Sequence, residues 1–491
     1  MQPIIVVNNP RTLPISIPGI DVIPAKAYLI DPTIEYERDT MIFNLCRSYR
    51  YQSIGYYVSL LAAARGHRPL PSVSAIQDMK SMTMVRYASE DLEELIQTSL
   101  HRLQSREFTL SIYFGRNMAR AYDRLSRELF NLFRAPLLRA HFHRDEDKWS
   151  LVKIGPIGAN EITMEHWPFV VETATDYFSR PRYSPRKKTN PRYDIAILHC
   201  PEEANPPSNE RALKRFEKAA AAVGMEAELI DKDDYGRLAE FDALFIRETT
   251  QVNHHTFRFA RRAEAEGLVV IDDPKSILRC CNKVYLAELL DRHKIPAPKT
   301  VVVHKDNVEE VSGQVGLPCI LKQPDSSFSQ GVVKVDTEDE LQREAERLLD
   351  RSDLIIGQEF IPTEFDWRVG IIDQKPLYVC RYHMAPKHWQ IQQNECADGK
   401  IKYGRVEAIP LKDAPRQVVS TALRAANLIG NGLYGVDLKQ VGRHVYVIEI
   451  NDNPSLDCGY EDGILKEDLY MKVMQVFLKR IERIKNEGAN R

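Results

Sequence analysis

Two stretches near the C-terminus constrain this chain more than any other feature: Tyr434-Gly-Val-Asp437-Leu438 and Val445-Tyr-Val-Ile-Glu449-Ile-Asn451-Asp-Asn453-Pro454. The β-branched and aromatic residues of 445–450 predict a strand, and Glu449 and Asn451, two positions apart, project from one face of it. Val436 and Leu438 are expected in the core with Ile448 and Ile450. A two-residue turn at Gly442-Arg443 would set Asp437 opposite Ile448 and mix polar with apolar side chains on one face. A three-residue loop, Gly442 to His444, sets Asp437 opposite Glu449, so burial selects that register. Hard oxygen ligands on one face suit Mg²⁺, which takes one or two carboxylates, keeps some water and leaves positions to phosphate oxygens; Mn²⁺ is the alternative.

Lysines upstream extend this to a nucleotide triphosphate. Lys283 opens an apolar-periodic helix, Val284-Tyr-Leu-Ala-Glu-Leu-Leu290, that stops before Ile295-Pro296-Ala-Pro298. Lys322 ends the short strand Cys319-Ile-Leu-Lys322. The segment after it, with Ser326, Ser327, Ser329 and Gly331, is a small-residue loop suited to turning backbone N–H groups toward phosphate. It is not a Walker A sequence. Leu354-Ile-Ile-Gly-Gln358-Glu359-Phe360-Ile361-Pro362 reads as a strand running into a linker whose backbone suits an adenine edge. Arg368 and Arg381 follow in or beside strands as planar forks for phosphate or carboxylate.

In this order the set resembles an ATP-grasp ligase, with the RimK-like branch as the best match over residues 192–480. The resemblance implies an ATP-grasp fold that holds ATP and Mg²⁺ between two α+β subdomains, preceded by a small parallel-sheet α/β domain. It also implies roles: Lys283 and Lys322 on the nucleotide phosphates, Gln358, Glu359, Phe360 and Ile361 around adenine, and Glu364 or Asp366 at the ribose. Arg368 and Arg381 match positions facing the transferred phosphate and acyl group, and Asp437, Glu449 and Asn451 match the metal ligands. RimK relatives carry an Arg-rich, Gly-Gly-ended segment after the second arginine. Here that segment reads Tyr382-His-Met-Ala-Pro386-Lys387-His388-Trp389, so Lys387, His388 and Lys402 are substrate candidates in its place, together with Asn453. By analogy with the preceding domain of ATP-grasp ligases, Arg247 in Phe245-Ile-Arg-Glu-Thr-Thr250 joins them.

The reading this supports is an ATP-dependent carboxylate–amine ligase acting on a small amino acid, diacid or peptide. A phosphotransferase that stops at phosphate transfer and an ATP-binding regulatory or scaffold protein are the alternatives. Taken singly, each of these residues has a blander explanation: a solvated hairpin face, a surface lysine, a structural ion pair. His254-His255 and His141-Phe-His143 lack a neighbouring Cys or second His pair at ligand spacing and read as ordinary surface or core histidines.

Net charge of -2, from 67 Lys+Arg against 69 Asp+Glu, gives no bias toward nucleic acid or anionic membrane. The eight cysteines form no CxxC pair and, with no basic n-region or 18-residue apolar run, point to reduced thiols and a cytoplasmic address. Family analogy adds a homo-oligomer, a dimer or tetramer.

The 491 residues suggest about three domains. Residues 1–178 form an N-terminal α/β domain resembling that fused to some RimK-like proteins. Residues 179–192 are a basic, proline-rich linker, 193–275 a pre-ATP-grasp α/β domain of alternating strands and helices, and 276–491 the ATP-grasp domain. In the first, Tyr49, Tyr51, Gln52, Ser53, Tyr56 and Tyr57 surround a helix start, read as a capped helix with packed tyrosines rather than a substrate pocket. Cys46 beside them reads as a small buried residue rather than a nucleophile.

Overall fold

The computed structural model describes residues 3–12, 17, 19–30, 40–146, 148–179, 191–325, 331–386, 388–393 and 402–489. Residues 180–190 of the expected linker, Ser326, Ser327, Ser329 and Lys387, and the side chain of Lys402, lie outside the described residues. The chain forms two compact units, residues 1–190 with 233–240 and residues 191–232 with 241–491.

In the first unit, the strands Ile4–Val7, wholly apolar, and Met41–Asn44, apolar up to the buried Asn44, lie at the centre of a parallel sheet, flanked by Asp21–Pro24 and Arg68–Leu70. Continuous apolar runs of this kind fit a parallel sheet covered on both faces. The expected α/β character holds here. A three-stranded antiparallel sheet, Glu107–Tyr113, Leu137–Asp145 and Lys148–Pro156, was not anticipated. Aromatic rings fill the core, with Phe43 and Phe178 edge to face at 4.7 Å. The helix Ile54–Ala64 ends at Gly66, whose φ of 72° suits the left-handed C′ position. Its N-terminus is capped by Ser53, whose Oγ accepts the Tyr56 amide and donates to the Ser48 carbonyl, and nearby Tyr49 donates to the Asn44 carbonyl. Burial pushes the Cys46 thiol up to about 12, as an inert core cysteine requires.

The second unit contains the expected parallel sheet, ordered Val269–Ile271, Ala243–Ile246, Tyr193–Leu198, Met225–Ile230. Asn209 caps the helix Glu210–Ala222, its side chain accepting the Ala212 amide at 3.0 Å. The 275/276 boundary does not separate two cores. Phe216 and Phe245 of the small domain pack edge to face against Tyr470 and Phe477 of the C-terminal helix Glu467–Ala489, at 4.8 and 5.3 Å, in one shared cluster.

Two antiparallel sheets complete this unit. One is ordered Thr300–Val303, Ile355–Glu359, Cys319–Lys322, Val332–Val335, and the other Val406–Ile409, Lys375–His383, Phe365–Ile372, Leu433–Val441, His444–Asn451. The four non-strand residues 360–363 and the bend at 364 carry the chain directly from one sheet to the other. Trp367, Val369, Val436, Leu438 and Ile450 pack on Val418, Ala422 and Ala426 of the helix Arg416–Ile429; on the opposite face Ile372, Tyr378, Cys380 and Tyr382 join the core with the C-terminal helix, while Arg368, Asp437 and Glu449 line a cavity. Two mixed α+β subdomains joined by a short hinge are the expected architecture. Among the described residues no helix is long and apolar enough to cross a membrane.

Candidate active site

The hairpin pairs Asp437 with Glu449 and Gly435 with Asn451, which brings the three candidate oxygen ligands together. The route is different. Val441 pairs with His444, so the turn holds two residues, and Gly442 meets it with a φ of 59°. Leu438 then pairs with Val447 while Asp437 pairs with Glu449, leaving Ile448 as the extra residue of a β-bulge. The bulge restores the register that the short turn would have lost. It also turns Ile448 away from the core: Val445, Val447 and Ile450 are buried, whereas Ile448 is half-buried and lines a cavity.

That cavity, of about 1530 Å³, lies within the second unit. It exceeds the roughly 300–1,000 Å³ of ordinary small-molecule pockets and has room for a nucleotide beside a second substrate. Lys283, Lys322, Gln358, Glu359, Phe360, Ile361, Asp366, Arg368, Asp437, Glu449, Asn451 and Asn453 all line it.

Local structure positions each cation. Asn282 caps the helix Lys283–Arg292, and Lys283 at its first turn reaches Glu449 Oε at 3.2 Å. Lys322 ends its strand and donates to Gln358 Oε1 at 2.7 Å, while Gln358 Nε2 donates to Thr300. Burial lowers the Lys322 pKa to about 8, with neighbouring Lys283 and Lys439 adding repulsion and Glu449 opposing it. Burial also pushes Asp437 up, against the pull of Arg368, whose Nε and Nη2 each donate to one Asp437 oxygen at 2.6 Å. At Glu449 burial is outweighed by Lys283 and Lys322, so its pKa falls below the usual carboxylate range. Gly331 closes the loop after Lys322: its carbonyl accepts the Gln323 amide at 2.9 Å, its φ is 70°, and a Cβ there would lie 2.8 Å from Gln323 Oε1. Glu359 ends the hinge strand with its amide bonded to the Lys299 carbonyl, while Phe360 lies beyond the ladder, 6.0 Å from Trp389 and under the Lys334 ammonium.

Several expected site residues are placed elsewhere. Arg381 pairs with Trp367, not Arg368, so strand alternation carries it to the opposite face of the sheet. Its guanidinium lies over Trp367 and Phe365 at 4.8 and 5.1 Å and 3.7 Å from Glu407, which corrects its assignment to the phosphate. Arg247 is fully buried, and four donor contacts tie it to Ser208, Asn453 and the Pro207 and Pro454 carbonyls. It is a clamp between loops rather than a substrate ligand. Asn453 accepts from Arg247 and donates to the Glu248 carbonyl, so the cavity wall consumes much of its hydrogen-bonding capacity. Of the two ribose candidates, Asp366 lines the cavity and Glu364 is an exposed residue of the bend. His388 bonds Gln390 at 3.0 Å and its neighbours Trp389 and Gln390, not His388 itself, are among the lining residues.

Lys439 was missed. It bonds Asp366 at 2.6 Å and Thr363 at 2.7 Å, and adds a third ammonium to the cavity. Its signal was present, since Lys439 lies two positions beyond Asp437 on the same face of its strand. Tyr382 and Glu461 were also missed; the phenol donates to the buried carboxylate beneath the Arg368 guanidinium, which sits 4.7 Å from the ring. Nothing in sequence spacing brings these together.

Asp437, Glu449 and Asn451 offer two carboxylates and an amide oxygen, a donor set that fits Mg²⁺ and leaves positions for water and phosphate. Residues 25–173 match the RimK-like ATPgrasp N-terminal domain, and residues 280–475 match the RimK-like ATP-grasp domain. A probable alpha-L-glutamate ligase of Vibrio vulnificus (strain YJ016) is 27% identical over 292 residues, covering 56% of this chain and 91% of that protein. The alpha-aminoadipate–LysW ligase LysX of Saccharolobus solfataricus is 29% identical over 199 residues, covering 39% and 68%. Among solved structures, a RimK domain ATP-grasp protein from Sphaerobacter thermophilus aligns at a TM-score of 0.44 and 16% identity, over 57% of this chain and 98% of that one. With both domain types present in order, the chain belongs to the RimK-like ATP-grasp ligases.

Proposed function

We propose that this protein forms an amide bond between an amino acid or short peptide and an amine, by way of an acyl phosphate. The carrying observation is the convergence of Lys283, Lys322, Lys439, Arg368 and the Asp437–Glu449–Asn451 set in one cavity roomy enough for ATP and a further substrate. Relatives named as glutamate and aminoadipate–LysW ligases support an amino acid or peptide as substrate.

In this reading Lys283, Lys322 and Lys439 bind and orient the phosphates, and Phe360, Ile361 and Ile448 supply apolar surface for the purine. Mg²⁺ bound by Asp437, Glu449 and Asn451 would spread charge over the transferring phosphate oxygens. Arg368 opposes the rise that burial gives the Asp437 pKa and orients its carboxylate through two hydrogen bonds. The substrate carboxylate attacks the γ-phosphorus, ADP leaves, and the amine then displaces phosphate from the acyl carbon. No protein nucleophile is needed. The two cysteines lining the cavity fit that: burial, then the charge of Asp452, pushes the thiols of Cys280 and Cys281 up and away from the thiolate.

The test is mass spectrometry of reactions with ATP, Mg²⁺ and pooled amino acids, dipeptides and diacids, with Glu449→Gln as control. A product weighing two pool members minus water, formed with ADP and absent from the variant, supports the ligase. Phosphorylated products alone would move the reading to a phosphotransferase.

A further inference from the structure

Outside the nucleotide cluster, the described residues of the second unit hold a further convergence of ligand-type side chains. Glu248 follows the strand Ala243–Ile246, while His254 and His255 open the helix His255–Ala265. Here the carboxyl ends of the parallel strands meet a helix start, where open α/β sheets place ligands. Sequence spacing set His254 and His255 aside for want of a third ligand. The fold supplies it: one donor atom from each of Glu248, His254 and His255 lies within 4.8 Å of the other two. Glu248 is buried, and its carboxylate meets His255 Nε2 at 2.7 Å.

The surroundings also orient the ligands. His254 Nδ1 is 3.1 Å from Thr256 Oγ1, and that hydroxyl donates onward to the Thr249 carbonyl at 3.5 Å. This relay places the His254 proton on Nδ1 and leaves Nε2 with its lone pair, the arrangement of an imidazole ligand held by an outer hydrogen bond. The two rings stand 3.9 Å apart between centroids, tilted by 42°.

We propose that Glu248, His254 and His255 form a second metal site, for a zinc-type divalent ion, separate from the Asp437–Glu449–Asn451 set. Two imidazoles and a carboxylate are the donor set of zinc rather than magnesium, with a fourth position open to water. Its place in the fold gives it a task. Thr249 to Asn253, the loop spanned by these ligands, line the large cavity, and the Glu248 carbonyl accepts Asn453 Nδ2 at 2.6 Å. An ion bound here pins that wall of the cavity.

The experiment uses the full chain stripped with a chelator, then titrated with Zn²⁺ against a chromophoric competitor in excess Mg²⁺, with Co²⁺ absorption as a second readout. One Zn²⁺ per chain is expected, with tetrahedral Co²⁺ bands. Affinity should fall at least 100-fold in His254→Ala and in His255→Ala and stay within threefold in Glu449→Gln. Removing His255 leaves Glu248 buried without its partner, so the His254 variant carries the test if the other does not fold. Failure of the native chain to retain Zn²⁺, or retention unchanged by His254→Ala, overturns the site. Because the readout is metal binding, it is independent of whether an amide product forms.

Discussion

Arg368 and Asp437 face each other across neighbouring antiparallel strands and join through two parallel hydrogen bonds of 2.6 Å, with both side chains largely buried. The guanidinium takes one lone pair from each carboxylate oxygen and Asn451 Nδ2 donates to Oδ2 at 3.3 Å, which leaves a lone pair on Oδ1 for a cation without releasing Arg368. Breaking such a pair by removing one partner costs about 3–5 kcal/mol. Arg368→Ala should therefore unfold at markedly lower denaturant, and Asp437→Asn should lose about 10²–10³ in turnover while demanding more Mg²⁺. Urea unfolding and a Mg²⁺ titration of ADP release check both. An Arg368→Ala stability within 1 kcal/mol of the native chain would show that the pair does not hold the site.

The bulge separates two isoleucines that alternation alone would have put together. Ile450, though it also borders the cavity, is buried in the core against the helix Arg416–Ile429, while Ile448 is half-buried on the cavity wall. Ile450→Ala should cost about 2–5 kcal/mol of stability with little effect on the nucleotide. Ile448→Ala should leave the unfolding midpoint nearly unchanged and weaken ATP binding about tenfold, the value of one apolar wall at roughly 1.4 kcal/mol. Calorimetric titration with an ATP analogue beside urea unfolding distinguishes the two. Equal losses of stability would place both side chains in the core.

With Lys322 on the nucleotide phosphates, as proposed, its titration sets a pH limit on nucleotide binding. Its folded pKa, lowered to about 8 by burial, lies below that of an unfolded lysine. Below pH 8 both states carry the proton and the cost of burying the charge is present in full. As pH rises from 8 toward 10.5 the folded state gives up the proton first, so this group adds stability there. Phosphate binding runs the other way, since it needs the ammonium. ATP affinity should decline above pH 8, approaching tenfold per pH unit, and the decline should vanish in Lys322→Gln, which binds weakly throughout. A flat affinity between pH 7.5 and 9.5 in the native chain would contradict the assignment of Lys322 to the phosphates.

How far the sequence could be read follows from the range of each signal. Alternation within a strand is local, so Asp437, Glu449 and Asn451 were legible as one face, and Lys439 would have been by the same rule. The turn was misread because a short turn and a bulge compensate: two residues in the turn plus one extra at Ile448 give the pairing that a three-residue loop gives. Arg381 fell on the wrong face because its orientation depends on pairing with the strand Phe365–Ile372, which spacing does not determine. The shared core of Phe216, Phe245, Tyr470 and Phe477 joins residues more than 200 positions apart, and hydrophobic patterning names such residues without saying what they touch.

Arg247 shows the same limit. A cation at the carboxyl end of a parallel strand reads as a ligand for substrate, yet its partners come from 40 residues upstream and about 207 downstream. Nε donates to Ser208, one terminal nitrogen to Asn453, and the other to the Pro207 and Pro454 carbonyls. The guanidinium thereby fastens the loop after the strand His444–Asn451 to the loop before the helix Glu210–Ala222. Lysine keeps the charge but is a point donor on a flexible stem and reproduces few of these contacts. Arg247→Lys should lower stability by about 2–4 kcal/mol through donors lost and acceptors left buried. The KM for ATP should change less than twofold, because Lys283, Lys322 and Lys439 remain in place. Steady-state kinetics at a temperature where the variant stays folded, beside urea unfolding, separate the two roles. A large rise in substrate KM with stability unchanged would return Arg247 to the substrate.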